Sequence, residues 1–393
     1  MPLFLNFEEE MEITILCKVV DNFGDIGVVY RLSKGLVEVA PKFGYSVFED
    51  KQNTNYKKLN INVVVDDLNA FHKINSKVDI ELSYQKIDGL NIYSWNDYEL
   101  CYKTFSENDG EKLSIILECF QCGRPDWMEK ILFDDKLERT VQIIMIDYLT
   151  AEKYAEDFHL LDSLTRSKKV QKINFMPGFT EKTGGLIIGK DWEELTAEDF
   201  EDRPIDKTAL IFTYDRDWTG LALALKQCGI ISEVAQGKGK DSFLEACQAV
   251  EYEEVTELPF VDQEEWDGIM QQASMLFIRG EESMSRACLS GIPFVWHAYP
   301  QSDEYQLVKV KALLDRMERH FDPEDFEIVK NIWLDFNSPE EDESGLDFEA
   351  DCANFIENAD KLAYGFQDFA LSLLKNGDLC SNLMTFICKK VIL

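Results

Sequence analysis

Two aspartates lie four residues apart in the segment DNFGDIG, at Asp21 and Asp25, and carboxylates can act as acid–base groups. The preceding run, Glu12–Val20, is apolar and β-branched and predicts a buried parallel strand, while Ile26–Val39 has helical periodicity. A loop between such a strand and helix lies at the carboxyl end of the sheet, where α/β folds bind ligands. The segment therefore predicts a site, although Asp25 could only cap the helix and Asp21 only turn the chain.

A second candidate site is the segment RGEES at 279–283, which follows an apolar strand-like run and begins a helical one. N–H groups at a helix start can bind a phosphate, and Arg279 adds a fork of donors suited to phosphate oxygens. Glu281 and Glu282 suit sugar or ribose hydroxyls. Helix capping explains Glu282 and Ser283 equally well, but explains Arg279 less, because a cation opposes the dipole there.

Aromatic and amide side chains follow two predicted strands of the second half. Phe212 and Tyr214 end the first of these strands, and Phe260 and Gln263 follow the third. Flat rings and an amide at strand ends suit a heterocyclic base. They could equally be core residues.

The segment PGFTEKTGG at 177–185 interrupts the regular pattern of the first half. Its glycines and proline exclude a helix or a regular strand. It could form a backbone cradle that lines a cleft between domains, or a long surface turn, which is the commoner case. The cradle residues would be Pro177, Gly178, Phe179, Thr180, Gly184 and Gly185.

Other short motifs predict no further chemistry. Asp215-Arg216-Asp217 matches the D-x-D of metal-dependent glycosyltransferases, but Asp217 is better placed as a helix cap. Gly237–Lys240 (GKGK) lacks the spacing of a phosphate-binding P-loop. The pair Cys119 and Cys122 has no second pair to complete a zinc site, and the four histidines lack metal-ligand spacing. We therefore expect no metal ion.

Strand-like and helix-like segments alternate along both halves, which predicts α/β units with parallel sheets. An acidic stretch at 191–204 has the composition of a linker. We therefore predict a GT-B fold, with two Rossmann-like domains facing across a cleft that holds the active site. The predicted domains are 1–203 for the acceptor and 204–378 for a nucleotide-sugar donor, with the helix at 379–393 packing back on the first.

The composition limits the partners. A formal charge of −34 argues against nucleic acid as a partner, and no apolar run is long enough to span a bilayer. Ten cysteines scattered through apolar segments are typical of reduced thiols in a cytoplasmic protein. The sequence does not fix the oligomeric state, for which a monomer is the expectation.

Five motifs in a fixed order resemble one known family. They are DNFGDIG at 21–27, PGFTEKTGG at 177–185, LPF at 258–260, RGEES at 279–283 and PFVWHAYPQ at 293–301. Over about residues 13–386 the chain resembles the EarP family, the protein-arginine rhamnosyltransferases of elongation factor P. The resemblance implies transfer of L-rhamnose, with inversion and without metal or cofactor, from dTDP-β-L-rhamnose to an arginine of elongation factor P. That modification activates the factor for relief of polyproline stalling.

The resemblance also assigns residues. The two essential aspartates of the family match Asp21 and Asp25, and we expect Asp25 to be the base and Asp21 to orient the acceptor. Glu281 would hold the donor or assist. The matching donor-site residues are Phe212, Tyr214, Phe260, Gln263, Arg279, Glu281 and Ser283, to which we add Phe23, Gly24, Gly280 and Glu282. The family usually carries Asp where this chain has Glu282, which puts that contact in doubt.

Two other functions remain open from the sequence. One is a GT-B nucleotide-sugar glycosyltransferase with a different acceptor. The other is an acidic, catalytically inactive binding protein, against which the retained Asp21, Asp25 and Arg279 argue.

Overall fold

The computed structural model describes residues 10–20, 23–48, 56–189, 192, 207–301, 303–339 and 347–390. The chain divides into two compact units. Unit 1 comprises 1–149, 154–193 and 376–393, and unit 2 comprises 150–153 and 194–375. The domain boundary predicted at 203–204 lies outside the described residues and stays a prediction.

Unit 1 contains a sheet with nine strands among the described residues, in the order β4-β5-β3-β1-β6-β7-β9-β8, with β2 beside β3. Neighbours are parallel except for β4–β5 and β8–β9 at the edges, which are antiparallel. The strands are β1 (Glu10–Cys17), β2 (Tyr45–Ser46), β3 (Lys57–Val65), β4 (Tyr84–Ile87), β5 (Leu90–Ser94), β6 (Ile115–Cys119), β7 (Val141–Ile146), β8 (Asp162–Ser163) and β9 (Val170–Phe175).

Strand β1 lies in the middle of this sheet, between β3 and β6. Its side chains alternate between two apolar clusters: Ile13 and Ile15 belong to one, and Leu16 belongs to the other. Both faces of the strand are therefore buried, which explains its continuous apolar sequence. The strand ends at Cys17, three residues before the predicted end, because the Val19 N–H donates to the Asp66 side chain instead of to a neighbouring strand.

Helices cover both faces of the sheet, as in a doubly wound fold. The C-terminal helix packs against α1 of this unit and buries Leu383 and Met384 in the same cluster as Ile13. The helices of unit 1 are α1 (Gly24–Val39), α2 (Leu68–Ile74), α3 (Tyr98–Ser106), α4 (Asp126–Leu132), α5 (Tyr154–Phe158) and the C-terminal helix at 379–390, numbered α14 in chain order.

Unit 2 has a sheet of five strands among the described residues, all parallel, in the order β12-β11-β10-β13-β14. Strand β10 ends at Phe212 rather than at the predicted Tyr214, because the Tyr214 N–H donates to His297. The strands are β10 (Thr208–Phe212), β11 (Ile231–Val234), β12 (Val255–Glu257), β13 (Met275–Arg279) and β14 (Phe294–His297).

The helices of unit 2 follow the strands in the expected alternation. The amphipathic stretch at 348–374 forms two helices, which meet at Asn358. The Asn358 amide donates to the Asn354 carbonyl and so satisfies the end of the first helix. The helices are α6 (Thr219–Cys228), α7 (Lys240–Ala249), α8 (Gln263–Gln272), α9 (Glu281–Ser290), α10 (Tyr305–Met317), α11 (Pro323–Asn337), α12 (Phe348–Glu357) and α13 (Ala359–Leu374).

Candidate functional site

The turn between β1 and α1 holds the predicted acid–base pair. Asp25 lies in the first turn of α1, where the helix dipole favours an anion, and it is 2% exposed. One carboxylate oxygen, Oδ2, accepts the Val20 N–H at 2.7 Å, and Oδ1 accepts the Tyr148 O–H at 3.1 Å. The first donor belongs to the same turn and the second to the segment after β7, and together they fix the orientation of the carboxylate. Asp21 lies outside the described residues.

The residues beside Asp25 differ in their surroundings. Phe23 is half-buried and packs against the apolar cluster that contains Ile13. Gly24, the first helical residue, is exposed. The Gly27 N–H donates to the Phe23 carbonyl at 2.9 Å, which is the first bond of the helix. The roles of Phe23 and Gly24 toward a donor stay predictions.

Sequence reasoning missed Tyr148, which follows β7. Its ring stacks on Phe120, with 4.6 Å between the ring centres and 23° between the planes. Phe120 and Gln121 both have a left-handed backbone, with φ of 55° and 53°. The Gln121 amide donates to the Asp147 carboxylate at 3.0 Å, which ties the ends of β6 and β7 together. In the sequence, Tyr148 is recognisable only as an aromatic residue two positions after the end of a buried strand.

Most of the loop at 177–185 is buried and only its tip, Glu181 and Lys182, is exposed. The predicted cradle residues Pro177, Gly178, Phe179, Gly184 and Gly185 are buried, and Thr180 is half-buried. Its backbone is closed by hydrogen bonds from Gly178 to Gly185 and from Gly184 to Met176. The side chains of Asn376 and Asn382 donate to the carbonyls of Phe179 and Gly184. The loop therefore anchors the C-terminal segment. Its contact with a ligand stays a prediction.

In unit 2, three predicted donor residues lie together. The Arg279 guanidinium lies 4.5 Å from the ring centre of Phe212 and 4.7 Å from that of Tyr214. Its Nε is buried and has no hydrogen-bond partner among the described residues. Two rings thus hold a cation whose donors can bind an anion.

Gly237 lies beside this cation. A Cβ there would be 3.0 Å from the Phe212 ring and 3.3 Å from an Arg279 nitrogen. The GKGK segment therefore packs against the candidate anion site.

Tyr214 is held by His297 at the end of β14. The Tyr214 N–H donates to His297 Nδ1 at 3.2 Å, so the ring proton of this histidine lies on Nε2. Burial, together with the positive charges of Arg216 and Arg279, lowers the pKa of His297 to about 3. The imidazole is therefore neutral at physiological pH and can keep this bond.

The start of α9 combines a glycine turn with two acidic residues. Gly280 has a φ of 76°, which favours glycine, and precedes Glu281 and Glu282 in the first turn. Ser283 is buried. The Glu281 carboxylate pairs with Lys309 of α10, with Oε1 and Nζ 3.3 Å apart. Sequence reasoning did not single out Lys309, because it lies on a different helix.

Phe260 and Gln263, the other predicted base contacts, have opposite exposures. Phe260 is 47% exposed, whereas Gln263 is buried at the start of α8. Trp266, one turn later, packs edge-to-face on Phe212 with ring centres 5.0 Å apart. The sequence did not indicate a role for Trp266, because it lies at an ordinary apolar position of an amphipathic helix.

Among the described residues, no group of three or more His, Cys, Asp or Glu side chains is arranged to hold a metal ion. Asp217 accepts the Thr219 N–H at 2.9 Å, and hydrogen bonds from Thr219 lower the pKa of this carboxyl group. No described helix combines the length and the apolar character that crossing a membrane requires.

The chain is similar to proteins of known activity. A family model described as the Elongation-Factor P (EF-P) rhamnosyltransferase EarP matches residues 13–388. A protein-arginine rhamnosyltransferase of Neisseria meningitidis serogroup B is 29% identical over 356 residues, which cover 83% of this chain and 84% of the relative.

Two solved structures share the fold. One, of EarP-mediated arginine glycosylation of translation elongation factor EF-P, has a TM-score of 0.55 at 17% identity and covers 96% of this chain and 98% of its own. The other, Os79 of O. sativa in complex with UDP, has a TM-score of 0.52 at 9% identity and covers 96% of this chain and 99% of its own. The fold is that of the GT-B glycosyltransferases. The chain belongs to the EarP family of protein-arginine rhamnosyltransferases.

Proposed function

We propose that this protein transfers L-rhamnose from dTDP-β-L-rhamnose to one arginine of elongation factor P, with inversion at the sugar and without a metal ion or other cofactor. The match to the EF-P rhamnosyltransferase family over 13–388 carries this proposal. Bacterial elongation factor P acts in translation, so the proposed site of action is the cytoplasm.

The acceptor chemistry requires a base. A guanidinium is a poor nucleophile because its electrons are delocalised and it is protonated at neutral pH. One nitrogen must be oriented and lose its proton while the new bond forms. Asp25, buried and held by two donors, is the proposed base, and Asp21 is the proposed orienting partner.

The donor chemistry requires a cation for the leaving group. The acceptor nitrogen attacks the anomeric carbon, the C–N bond forms, and the bond to the diphosphate oxygen breaks, so that dTDP leaves with the electron pair. Arg279 and the start of α9 are proposed to stabilise this charge. Phe212, Tyr214, Phe260 and Gln263 are proposed to hold the base and sugar, and Glu281 and Ser283 the hydroxyls and phosphate.

Mass spectrometry of elongation factor P after incubation with this protein and dTDP-β-L-rhamnose tests the proposal. The expected result is the mass of one deoxyhexose added to an arginine, unchanged by a metal chelator. Consumption of donor without modification of the factor would indicate a different acceptor. If the donor is not consumed and the factor is not modified, the protein is a binding protein rather than an enzyme.

The variant Asp25→Asn tests the proposed base. We expect transfer to fall by at least about a hundredfold, the usual size of general-base catalysis, because an amide cannot take the proton. The affinity for dTDP should stay within about twofold, because the proposed donor residues belong to unit 2. Equal loss of transfer and of dTDP binding would contradict the assigned role.

A further inference from the structure

Tyr148 connects the protein surface with a buried carboxylate. Its side chain is 39% exposed, whereas Asp25, which accepts its hydroxyl proton, is 2% exposed. The two residues are 123 positions apart in the chain, and the O···O distance is 3.1 Å. A phenol at this position reaches the proposed base from the solvent side.

The backbone that supports Tyr148 is strained. A left-handed backbone is unfavourable for a non-glycine residue, and Phe120 and Gln121 adopt it one after the other. Such strain persists where surrounding contacts fix it. Here the Phe120 N–H donates to the Ile146 carbonyl at 2.7 Å, and the Phe120 ring supports the tyrosine ring. The strained turn thus places the Tyr148 hydroxyl.

Val20 and Tyr148, two donors to Asp25 among the described residues, are chemically different. The Val20 N–H on Oδ2 can only donate, whereas a phenol hydroxyl can donate or accept. When Asp25 is ionised, Tyr148 donates to Oδ1. After Asp25 has taken a proton on Oδ1, the tyrosine hydroxyl can accept a hydrogen bond from the carboxylic acid, so the two groups remain hydrogen-bonded. Tyr148 can therefore hold the carboxyl group in one orientation through both protonation states.

We propose that Tyr148 is a positioning residue that orients Asp25 toward the acceptor arginine. This inference rests on the proposed function of Asp25 as the base. It predicts a loss in the rate of transfer and none in the binding of the donor, since the proposed donor residues belong to the other unit.

The test is the variant Tyr148→Phe, which keeps the ring and its stacking on Phe120 but removes the hydroxyl. We expect kcat for rhamnosyl transfer to fall about tenfold, the effect of losing one hydrogen bond to a charged group. The KM for dTDP-rhamnose should stay unchanged, and the melting temperature should fall by no more than a few degrees, as expected for the loss of one hydrogen bond. The matched control is Tyr102→Phe on α3, a tyrosine that is 38% exposed, which should change none of these quantities.

A second measurement does not depend on activity. Because Asp25 also accepts the Val20 N–H, a looser carboxylate should let the Val20 amide exchange its hydrogen several times faster in Tyr148→Phe than in Tyr102→Phe. Wild-type kcat together with wild-type Val20 exchange would overturn the inference. So would a general loss of stability with a raised donor KM. If the wild-type protein does not modify elongation factor P, the proposed function fails, and the Val20 exchange alone decides whether Tyr148 orients Asp25.

Discussion

At the scale of single residues, Arg279 is held by aromatic rings rather than by a carboxylate. Phe212 and Tyr214 contact its guanidinium, and no ion pair to it occurs among the described residues. The nearby Glu281 pairs with Lys309 instead. The two rings hold the guanidinium without neutralising its charge, so the charge remains available to an anionic ligand.

Arg279→Lys should weaken dTDP binding by at least about tenfold. An ammonium neither stacks as a plane nor binds two phosphate oxygens at once, so the charge alone does not replace the guanidinium. Titration calorimetry with dTDP measures the change. The control is the exposed Arg319→Lys, with unchanged affinity expected. Full affinity in Arg279→Lys would show that the diphosphate binds elsewhere.

His297 gives a pH dependence with a definite sign. Its pKa is lowered to about 3 in the folded protein, against about 6.5 when unfolded. The unfolded state therefore binds an extra proton as the pH falls below about 6.5, and this group's contribution to stability is lost progressively down to about pH 3. Between about pH 7.5 and 5.5 the free energy of unfolding should fall by about 1 kcal/mol through this residue.

Thermal melts of the wild-type protein and of His297→Gln across this pH range measure the effect. Glutamine keeps an acceptor for the Tyr214 N–H but does not titrate, so the variant should be less stable at pH 7.5 and should lose less stability on acidification. Parallel pH curves for the two proteins would show that His297 is not the titrating group.

At the scale of elements, the strand–loop–helix units could be predicted because buried strands and amphipathic helices have distinct periodicities. The ends of β1 and β10 could not, since each ends where a distant side chain, Asp66 or His297, accepts a backbone N–H. Tyr148 and Lys309 were missed for the same reason. Their contacts with Asp25 and Glu281 depend on the packing of separate elements, which local pattern does not specify.

The buried loop at 177–185 depends on one close backbone contact. Gly185 has a φ of 86°, and a Cβ there would lie 2.5 Å from the Gly377 carbonyl oxygen. Gly185→Ala should lower the free energy of unfolding of unit 1 by more than about 2 kcal/mol, because backbone strain and the clash add. Denaturant melts followed by hydrogen exchange in α14 measure this loss.

A second glycine separates the two causes. Gly189 has a φ of 81°, but a Cβ there would meet nothing within 4 Å. Gly189→Ala should therefore cost only the left-handed conformation, about 1 kcal/mol. Equal losses in the two variants would show that the contact with Gly377 contributes nothing.

At the scale of the whole molecule, the two units bring different groups to the proposed reaction. Unit 1 contributes a buried carboxylate, and unit 2 contributes a cation held by aromatic rings. The five motifs and their order along the chain were enough to predict the family. The motifs at 21–27, 177–185, 258–260 and 279–283 lie at or after the carboxyl end of a strand, and the motif at 293–301 contains β14. The formal charge of −34 is a property of the whole chain rather than of either site. Repulsion among these charges lowers the stability of the folded protein.

Raising the ionic strength should therefore stabilise the protein. From about 0.01 M to about 0.1 M salt the Debye length shortens from about 30 Å to about 10 Å, which screens repulsion among 74 acidic side chains set against 40 basic ones. We expect the melting temperature to rise by a few degrees, or roughly 1 kcal/mol for units of this size.

Two controls test whether screening is the cause. Sodium and potassium chloride should act alike, because screening depends on ionic strength, and sucrose at matched osmolality controls for exclusion of solutes from the surface. A melting temperature that stays level or falls with added salt would mean that local ion pairs, such as Lys77 with Asp88, outweigh the net repulsion.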